Sequence, residues 1–386
     1  MNKVNLVYYW SPHINQQVAT VKAVRNSILS IKKFGNKKYK PILINVFGEW
    51  NDQKEDLNKK GIDFVDLLNL NIKLPINGFL KSRIFYILIS LLSIPKLIFL
   101  IKKNKPNFVI GHLIVFPILF VSHFFKHNSC KFILRISGLP KLNWFRKYYW
   151  KLLSKKLYCI TTPTYSTKLL IENKKIFRSK KILVLEDPIF IMKDIAKAKM
   201  KEHKYKNISE KNIISVGRLT EQKNFGLLIS GIIKLYTKHP DLKLIILGSG
   251  EKKDELNKMI INNLPDNIVK IIPYTLNINH FYTKSKIFIS TALWEDPGFA
   301  ILEAAMHNLT ILSSDCLNGP KEFLNENKRG YGFMNGNIFD FVKNLNLVLS
   351  LKENDKENFN KKILAKKYCK KFTIFNHYKK LEKILF

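Results

Sequence analysis

The chain has 386 residues, of which 46% are hydrophobic and 25% charged, and its formal net charge is +37. This length and composition exclude a disordered chain, a collagen-like repeat and a small disulfide-stapled domain, and they favour two globular domains. The four cysteines form no CxxC pair and no Cys/His zinc pattern, so we expect reduced thiols and neither metal nor redox chemistry.

The positive charge is concentrated in the first half of the chain. Residues 1–200 contain 36 basic and 10 acidic residues, whereas residues 201–386 contain 30 and 19. No carboxylate occurs between Asp66 and Glu172, a span that holds 17 basic residues. An AT-rich coding bias would explain many lysines but not the missing acids. A basic face for anionic lipid headgroups or for a phosphate-bearing substrate is the functional alternative.

Short aliphatic segments alternate with longer segments of helical periodicity, which predicts βα units and a parallel sheet. Helices are predicted over 18–34 and 84–103. The predicted strands of the first half are VNLVYYW, PILINVF, NFVIG, KFILRI and LYCITT.

Two apolar segments of the first half raise the question of a membrane span. Pro95 and Lys96 interrupt the segment 85–101, which leaves too few apolar residues to cross about 30 Å of hydrocarbon. The segment 108–125 carries no Lys, Arg, Asp or Glu, but its Gly, Pro and His residues favour a buried strand followed by a helix. Since no signal peptide precedes them, we expect a cytoplasmic protein that is at most peripheral to the inner face of the membrane.

A Lys-rich, poorly periodic segment, 193–211, separates this series from a second one. The predicted domains are 1–190 and 191–369, and each is interpreted as an α/β, Rossmann-like, doubly wound parallel sheet. A ligand would lie in the cleft between them, at the carboxyl ends of the strands. The final helix, 370–386, either caps the second domain or crosses back to the first. The strands of the second series are NIISVG, LKLIILG, NIVKIIP, IFIST and LTILSS.

The segment IISVGRLTEQKNF places Gly217 at a strand end, two cations, Arg218 and Lys223, shortly after it, and Asn224 as a helix cap. Two cations beside free backbone amides suit a diphosphate. Alternatively, both cations are solvated surface charges.

The segment STALWEDPGFAILEAAMHN contains Glu295 and Glu303, eight residues apart. Pro297 and Gly298 between them predict a helix start, which leaves Glu295 on a loop and Glu303 in the helix. Carboxylates accept hydrogen bonds from sugar hydroxyls, whereas the amides of Gly298, Phe299 and Ala300 at the helix N-terminus favour phosphate. Together with the two cations, this division describes a nucleotide sugar.

These blocks resemble the retaining glycosyltransferases of family 4, which act in bacterial surface-polysaccharide synthesis and have the two-domain GT-B architecture. The resemblance is strong over 212–333 and rests also on LGSGEKKDEL and DCLNGPKEFL. It implies that Arg218 and Lys223 bind the donor diphosphate, that Glu303 holds the ribose and that Glu295 faces the transferred sugar.

The resemblance further implies that the backbone around Pro273 and Tyr274 frames the base and that the C-terminal helix crosses to the first domain. It implies a catalytic role for Arg218, Lys223 and Glu295, a UDP- or GDP-linked sugar as donor, and no cofactor or metal.

The chain departs from the family pattern in the first domain. Asn15, Gln16 and Gln17 stand where the family has a Gly-Gly loop, and Ser137 and Gly138 stand where many relatives have a histidine. The role of that histidine is therefore unassigned, and the acceptor-side candidates are His13, Gln16, His112, Arg135 and Ser137. A core position is the alternative for His112.

The resemblance thus implies a retaining transferase that moves a sugar to a saccharide acceptor, and together with the charge pattern it leads us to expect a lipid-carried acceptor at an anionic inner-membrane surface. A nucleotide-sugar epimerase or phosphorylase on the same fold is one alternative. A basic nucleic-acid-binding protein is another, although no motif for specific nucleic-acid binding occurs.

Overall fold

The computed structural model describes residues 4–14, 19–70, 72, 79–125, 129–138, 140, 142–177, 181–196, 212–275 and 277–386. The chain divides into two compact units. The first comprises Met1–Phe190 together with Phe372–Phe386, and the second comprises Ile191–Lys371. Both are parallel α/β units, as the alternation of strands and helices predicts.

The first unit is built on a seven-stranded sheet of order β3-β2-β1-β4-β5-β6-β7, in which all pairings are parallel. Its strands are β1 (Asn5–Trp10), β2 (Tyr39–Asn45), β3 (Asp63–Asp66), β4 (Phe108–Gly111), β5 (Lys131–Arg135), β6 (Cys159–Thr162) and β7 (Ile182–Val184). Its helices are α1 (Ala19–Phe34), α2 (Asn51–Lys59), α3 (Phe79–Asn104), α4 (Phe116–Val121), α5 (Trp144–Leu153) and α6 (Tyr165–Asn173), with the C-terminal helix described below.

The second unit repeats this plan with six parallel strands in the order β10-β9-β8-β11-β12-β13. Its strands are β8 (Asn212–Val216), β9 (Lys243–Leu247), β10 (Val269–Ile272), β11 (Ile287–Ser290), β12 (Thr310–Ser314) and β13 (Tyr331–Phe333). Its helices are α7 (Phe225–Leu235), α8 (Lys253–Asn263), α9 (Ile278–Thr283), α10 (Phe299–Met306), α11 (Gly319–Leu324), α12 (Ile338–Leu349) and α13 (Lys356–Cys369).

The ten strands that the sequence predicts are all present, so the expected pair of Rossmann-like sheets is confirmed. Three further strands, β3, β7 and β13, have only three or four residues each. Strands this short carry too little alternation to be recognised from sequence. Most of the Lys-rich segment 193–211, in which a domain junction was expected, lies outside the described residues.

The C-terminal helix α14 (Ile374–Leu385) belongs to the first unit, as the second of the two interpretations predicts. Thr373 caps it, since its side chain accepts a hydrogen bond from the Asn376 amide. Leu381 and Leu385 are buried in the same core cluster as Val24 and Ile28 of α1. Phe375 is half exposed and packs edge to face against Phe34.

Helix α3 corrects the sequence analysis. Pro95 does not interrupt it, and the segment Leu80–Asn104 is long and apolar enough to cross a membrane by length and composition. Pro95 and Lys96 therefore do not shorten the apolar helix as the sequence predicts. Only about a third of its most apolar 18 residues are buried in the protein.

Two buried histidine contacts fix α14 to the first unit. His377 is 3% exposed, its Nδ1 lies 2.7 Å from the Glu186 carbonyl, and its Nε2 lies 2.8 Å from Ser27 Oγ. Burial lowers the pKa of His377 to about 3, and the charges of Arg135 and Lys380 act in the same direction. The imidazole is therefore neutral in the folded protein at neutral pH.

This pKa predicts an acid-sensitive first unit. As the pH falls below about 6.5, the unfolded chain protonates His377 while the folded chain does not, so the free energy of unfolding should fall by up to about 1.4 kcal/mol per pH unit. His377→Gln should reduce that slope between about pH 6.5 and pH 4 in urea unfolding. His123→Gln, at an exposed position, is the control. An unchanged slope in the His377 variant would contradict the assignment.

Candidate functional site

The candidate residues of the second unit follow two strands that are neighbours in space but not in sequence. The strand order places β8 beside β11, and the chain reverses its direction of winding between them. Ligands of doubly wound sheets bind at such a switch point, outside the carboxyl ends of the strands. Arg218 and Lys223 come after β8, and Glu295 comes after β11.

Close backbone packing shapes the loop after β8. The Gly217 amide donates to the Leu247 carbonyl, and the Leu219 amide donates to the Ser249 carbonyl. A Cβ on Gly248 would lie 1.9 Å from the Gly217 carbonyl oxygen, so no larger residue fits there without a backbone shift. The glycines of LGSG therefore serve to support the Gly217 loop from the neighbouring strand.

Asn224 begins α7 in a different way from the one expected. Its backbone is left-handed, with φ 48° and ψ 46°, and its side chain makes no capping hydrogen bond. An Asn at this position is explained by its tolerance of positive φ. The turn brings Lys223 back over Gly217, where an added Cβ would touch the lysine stem at 3.0 Å.

Several hydrogen bonds tie the loop after β11 to the loop after β8. The Leu293 amide donates to the Gln222 carbonyl at 2.8 Å, and the Gln222 side-chain amide donates to the Trp294 carbonyl at 2.8 Å. The Thr291 hydroxyl donates to the carbonyls of Lys223 and Asn224. The two loops therefore form one structure.

Lys223 and Glu295 form an ion pair at the centre of this structure, and their side chains are only 16% and 18% exposed. Arg218 is exposed and contacts Gln222, which in turn contacts the loop of Glu295. The structure thus joins a largely buried lysine, a largely buried glutamate and an exposed arginine.

Glu303 lies one turn into α10, whose N-terminal residues Gly298, Phe299 and Ala300 follow the Glu295 loop. The hydroxyl of the fully buried Tyr282 lies 3.4 Å from the Glu303 carboxylate and 3.4 Å from the Ala300 carbonyl. Tyr282 therefore supports Glu303 from behind.

Pro273 and Tyr274 follow β10 at the same edge of the sheet, and both are exposed. Burial, followed by the charge of Glu303, raises the pKa of Tyr282 well above its usual value, and Tyr274 contributes in the same direction. Tyr274 therefore lies within electrostatic range of Tyr282 and Glu303.

The NGP turn lies directly against Glu295. The Gly319 amide donates to the Glu295 carbonyl at 3.2 Å, and a Cβ on Gly319 would lie 2.1 Å from the Pro297 carbonyl oxygen. Glu322 accepts a hydrogen bond from the Tyr368 hydroxyl at 3.1 Å. The turn therefore packs against the backbone of Glu295 and Pro297.

The first unit has a comparable edge, formed by residues after β1, β4 and β5. The His112 amide donates to the Trp10 carbonyl at 2.7 Å, which brings the ends of β1 and β4 together. His13 and His112 are 2% and 5% exposed. Burial lowers the pKa of His13 to about 4 and that of His112 well below its usual value, so both are neutral at physiological pH.

This edge carries polar atoms that are buried and lack a hydrogen-bond partner within the described part of the chain. They are Ser11 Oγ, His13 Nε2, His112 Nδ1, Ser137 Oγ and Thr161 Oγ1. Unsatisfied buried polar groups are costly, so each of these atoms would be stabilised by a hydrogen-bond partner.

The remaining acceptor-side candidates differ from these. Arg135 is 2% exposed and is held by Asp187 at 2.5 Å and by the Leu185 carbonyl at 2.5 Å, which makes it a buried structural cation. Gln16 and its neighbours Asn15 and Gln17 lie outside the described residues.

Sequence reasoning missed Gln222 and Tyr282. Gln222 stands inside the TEQKNF block, but its uncharged amide gives no signal that distinguishes it from its neighbours. Tyr282 lies in a helix of only six residues with no motif, and only its contact with Glu303 identifies it.

Residues 196–365 match the family model described as Glycosyl transferases group 1. The match covers less than half of the chain and falls on the second unit. The second unit is therefore similar in sequence to the domain that this family model describes.

Curated relatives align over parts of the chain. An uncharacterized glycosyltransferase of Methanocaldococcus jannaschii is 31% identical over 59% of this chain and 60% of its own length. The poly(ribitol-phosphate) alpha-N-acetylglucosaminyltransferase of Staphylococcus aureus is 29% identical over 38% of this chain and 29% of its own. An N-acetylgalactosamine-N,N'-diacetylbacillosaminyl-diphospho-undecaprenol 4-alpha-N-acetylgalactosaminyltransferase of Campylobacter jejuni is 30% identical over 32% and 33%. The chain thus spans less than two thirds of these relatives.

Solved structures match along the whole chain. A glycosyltransferase of Rickettsia africae has a TM-score of 0.74 at 19% identity and covers 100% of this chain and 98% of its own. The Anabaena protein Alr3699/HepE, crystallised with UDP and glucose, has a TM-score of 0.71 at 12% identity and covers 99% of each chain. The fold is therefore that of the GT-B glycosyltransferases, as the sequence predicts.

The glycine packing generates a prediction. Gly248→Ala forces a Cβ into the Gly217 carbonyl, so we expect a loss of about 1–3 kcal/mol in stability. Gly226→Ala is the matched control, because nothing lies within 4 Å of its added Cβ and alanine favours a helix. Thermal unfolding of both variants measures the difference in stability. Equal behaviour of the two variants would contradict this role of Gly248.

Proposed function

We propose that the protein is a glycosyltransferase that moves a sugar from a nucleotide-diphosphate sugar to a saccharide acceptor in the synthesis of a cell-surface polysaccharide. The observation that carries this proposal is the Lys223–Glu295 ion pair at the switch point of the second sheet, beside the N-terminus of α10. The group 1 domain and relatives named as glycosyltransferases support it.

The cations and the helix N-terminus would bind the diphosphate. Departure of a nucleoside diphosphate leaves negative charge on its terminal phosphate, and fixed donors stabilise such charge most effectively where water is excluded. Lys223 is largely shielded from water, and its ion pair with Glu295 already holds its side chain in place. The lysine would therefore move little when the diphosphate binds. Arg218 and the amides of Phe299 and Ala300 supply further donors. The proposal therefore needs no metal ion.

The carboxylates would hold hydroxyls. Glu303, supported by the Tyr282 hydroxyl, would accept hydrogen bonds from the ribose, and Glu295 would accept them from the transferred sugar. The exposed Tyr274 would contact the base of the nucleotide. We propose uracil as that base, because a structural neighbour was crystallised with UDP.

The acceptor would bind at the carboxyl edge of the first sheet. Its hydroxyls would supply the partners that His13, His112 and Ser137 lack in the described chain. A neutral imidazole both donates and accepts hydrogen bonds, which suits a sugar hydroxyl. A saccharide on a lipid pyrophosphate is the proposed acceptor, and the Campylobacter relative, whose name includes a diphospho-undecaprenol, supports it.

We propose retention of anomeric configuration. The acceptor oxygen would bond to the anomeric carbon on the face from which the diphosphate leaves. The carbon–oxygen bond to phosphate would break, and the acceptor proton would pass to a phosphate oxygen. This scheme uses the diphosphate as the base, and it leaves Glu295 and Lys223 to orient the sugar and to neutralise the leaving group.

Substitution of Lys223 tests the donor site. Lys223→Ala removes a charge-assisted contact to the diphosphate, so UDP affinity measured by calorimetry should fall about 10- to 100-fold. Lys234→Ala, at an exposed position on α7, is the control and should change affinity less than about twofold. Hydrolysis of UDP-sugars in EDTA, followed by UDP release, tests independence from metal. UDP binding that is unaffected by the Lys223 substitution would refute the proposed site.

A further inference from the structure

Helix α3 exposes a continuous apolar face. Ile84, Ile87, Leu88, Leu91 and Leu92 are between 45% and 63% exposed, and they fall on one side of the helix. No charged residue occurs from position 84 to position 95. Large contiguous apolar surfaces are rare on soluble monomers and mark interaction sites.

Helix α5 exposes a second apolar face of aromatic character. Trp144 is 79% exposed, and Phe145, Tyr148 and Leu152 lie near it on the helix surface. The exposed residues Lys147 and Lys151 border this face. Tryptophan and tyrosine surrounded by lysine are typical of the boundary between water and lipid.

Both helices cover the same face of the first sheet. Buried residues of α3, such as Ile89 and Leu97, and Trp150 of α5 belong to one hydrophobic cluster. Helix α4 lies between them and contacts both. The exposed faces of α3 and α5 therefore form one surface, which we call the α3–α5 surface.

The charge of this surface is of one sign. The whole segment from α3 to α5 lies within the span that has no carboxylate. Exposed lysines frame the apolar face of α3 at both ends, at positions 81, 96, 102 and 103. Their long aliphatic stems can lie along an apolar surface while the ammonium groups reach phosphate. Anionic lipid headgroups are complementary to such a surface.

Burial excludes a membrane span by α3 in this fold. Ile89, Ser93, Leu97 and Ile101 have 1% or less of their surface exposed, and Phe85 packs edge to face against Phe47. A spanning orientation would remove all of these from the core. The helix can instead lie in the plane of the interface with its outer side in lipid.

The apolar residues also lie at a particular end of the unit. In a parallel α/β unit each helix starts beside the carboxyl end of the preceding strand. The exposed apolar residues are concentrated in the first halves of α3 and α5. They are therefore near the edge at which His13, His112 and Ser137 lie.

We propose that the α3–α5 surface docks the protein on an anionic lipid bilayer, with the apolar sides of both helices inserted below the headgroups. This orientation turns the carboxyl ends of the first sheet's strands toward the membrane. Docking on the bilayer does not depend on transferase activity.

Flotation of the full chain with vesicles tests the proposal. Binding is expected with phosphatidylglycerol mixed into phosphatidylcholine, but not with phosphatidylcholine alone, and it should weaken in high salt. Ile87→Gln/Leu91→Gln should lower the partition coefficient on the order of tenfold. Lys147→Gln/Lys151→Gln should lower it about 25-fold, at about fivefold for each charge. The emission of Trp144 should shift to the blue on binding, and Trp144→Phe should abolish that shift.

Matched controls are exposed residues of the second unit, Ile261→Gln and Lys238→Gln/Lys258→Gln, which should bind as the unaltered chain does. Equal flotation of the surface variants and these controls would overturn the proposal. Light scattering could instead detect a dimer that Ile87→Gln/Leu91→Gln abolishes. That result, together with no vesicle binding, would overturn the proposal and show that a second copy of this chain covers the surface. Since the vesicles contain neither donor nor acceptor, the outcome is independent of the proposed activity.

Discussion

The Lys223–Glu295 ion pair depends on the strand order of the second sheet. Residues 72 positions apart in sequence meet because β8 and β11 are adjacent and parallel, so their carboxyl ends lie at one edge. Breaking a partly buried pair leaves an uncompensated charge, which is more costly than losing an exposed one. The hydrogen bonds between the two loops hold the pair in place before any substrate arrives, and the proposed chemistry depends on this preorganisation.

Much of this arrangement could be predicted from the sequence. Gly217, Arg218 and Lys223 follow an aliphatic segment that predicts a strand. Pro297 and Gly298 predict the start of the helix that carries Glu303. These signals are local, since strand ends and helix starts leave marks within a few residues. The neighbouring position of the two loops then follows from the winding of a parallel sheet.

The rest is set by contacts that leave no local mark. Tyr282 and Glu303 are 21 residues apart in sequence, yet the tyrosine hydroxyl contacts the glutamate carboxylate. Asn224 starts its helix through a left-handed backbone and not through a side-chain capping hydrogen bond. In α3, Pro95 suggested an interruption, but proline removes one hydrogen bond and the helix continues when its other side is well packed. Burial against Phe47 and the sheet decides that outcome, and burial is a tertiary property.

The acidic residues are as informative as the basic ones. Buried carboxylates in the first unit have structural partners: Asp187 pairs with Arg135, and Glu186 with Lys380 of α14. Those carboxylates lie outside the span from α3 to α5, and that span bears the exposed apolar faces. A coding bias toward lysine would not remove acids from one surface and retain them elsewhere. The α3–α5 surface, which lacks carboxylates, would hold the carboxyl ends of the first sheet's strands near the lipid headgroups. If the acceptor is lipid-linked, its phosphate and sugar would emerge from the membrane at that place. Charge pattern, apolar exposure and the position of the buried histidines then have one common explanation.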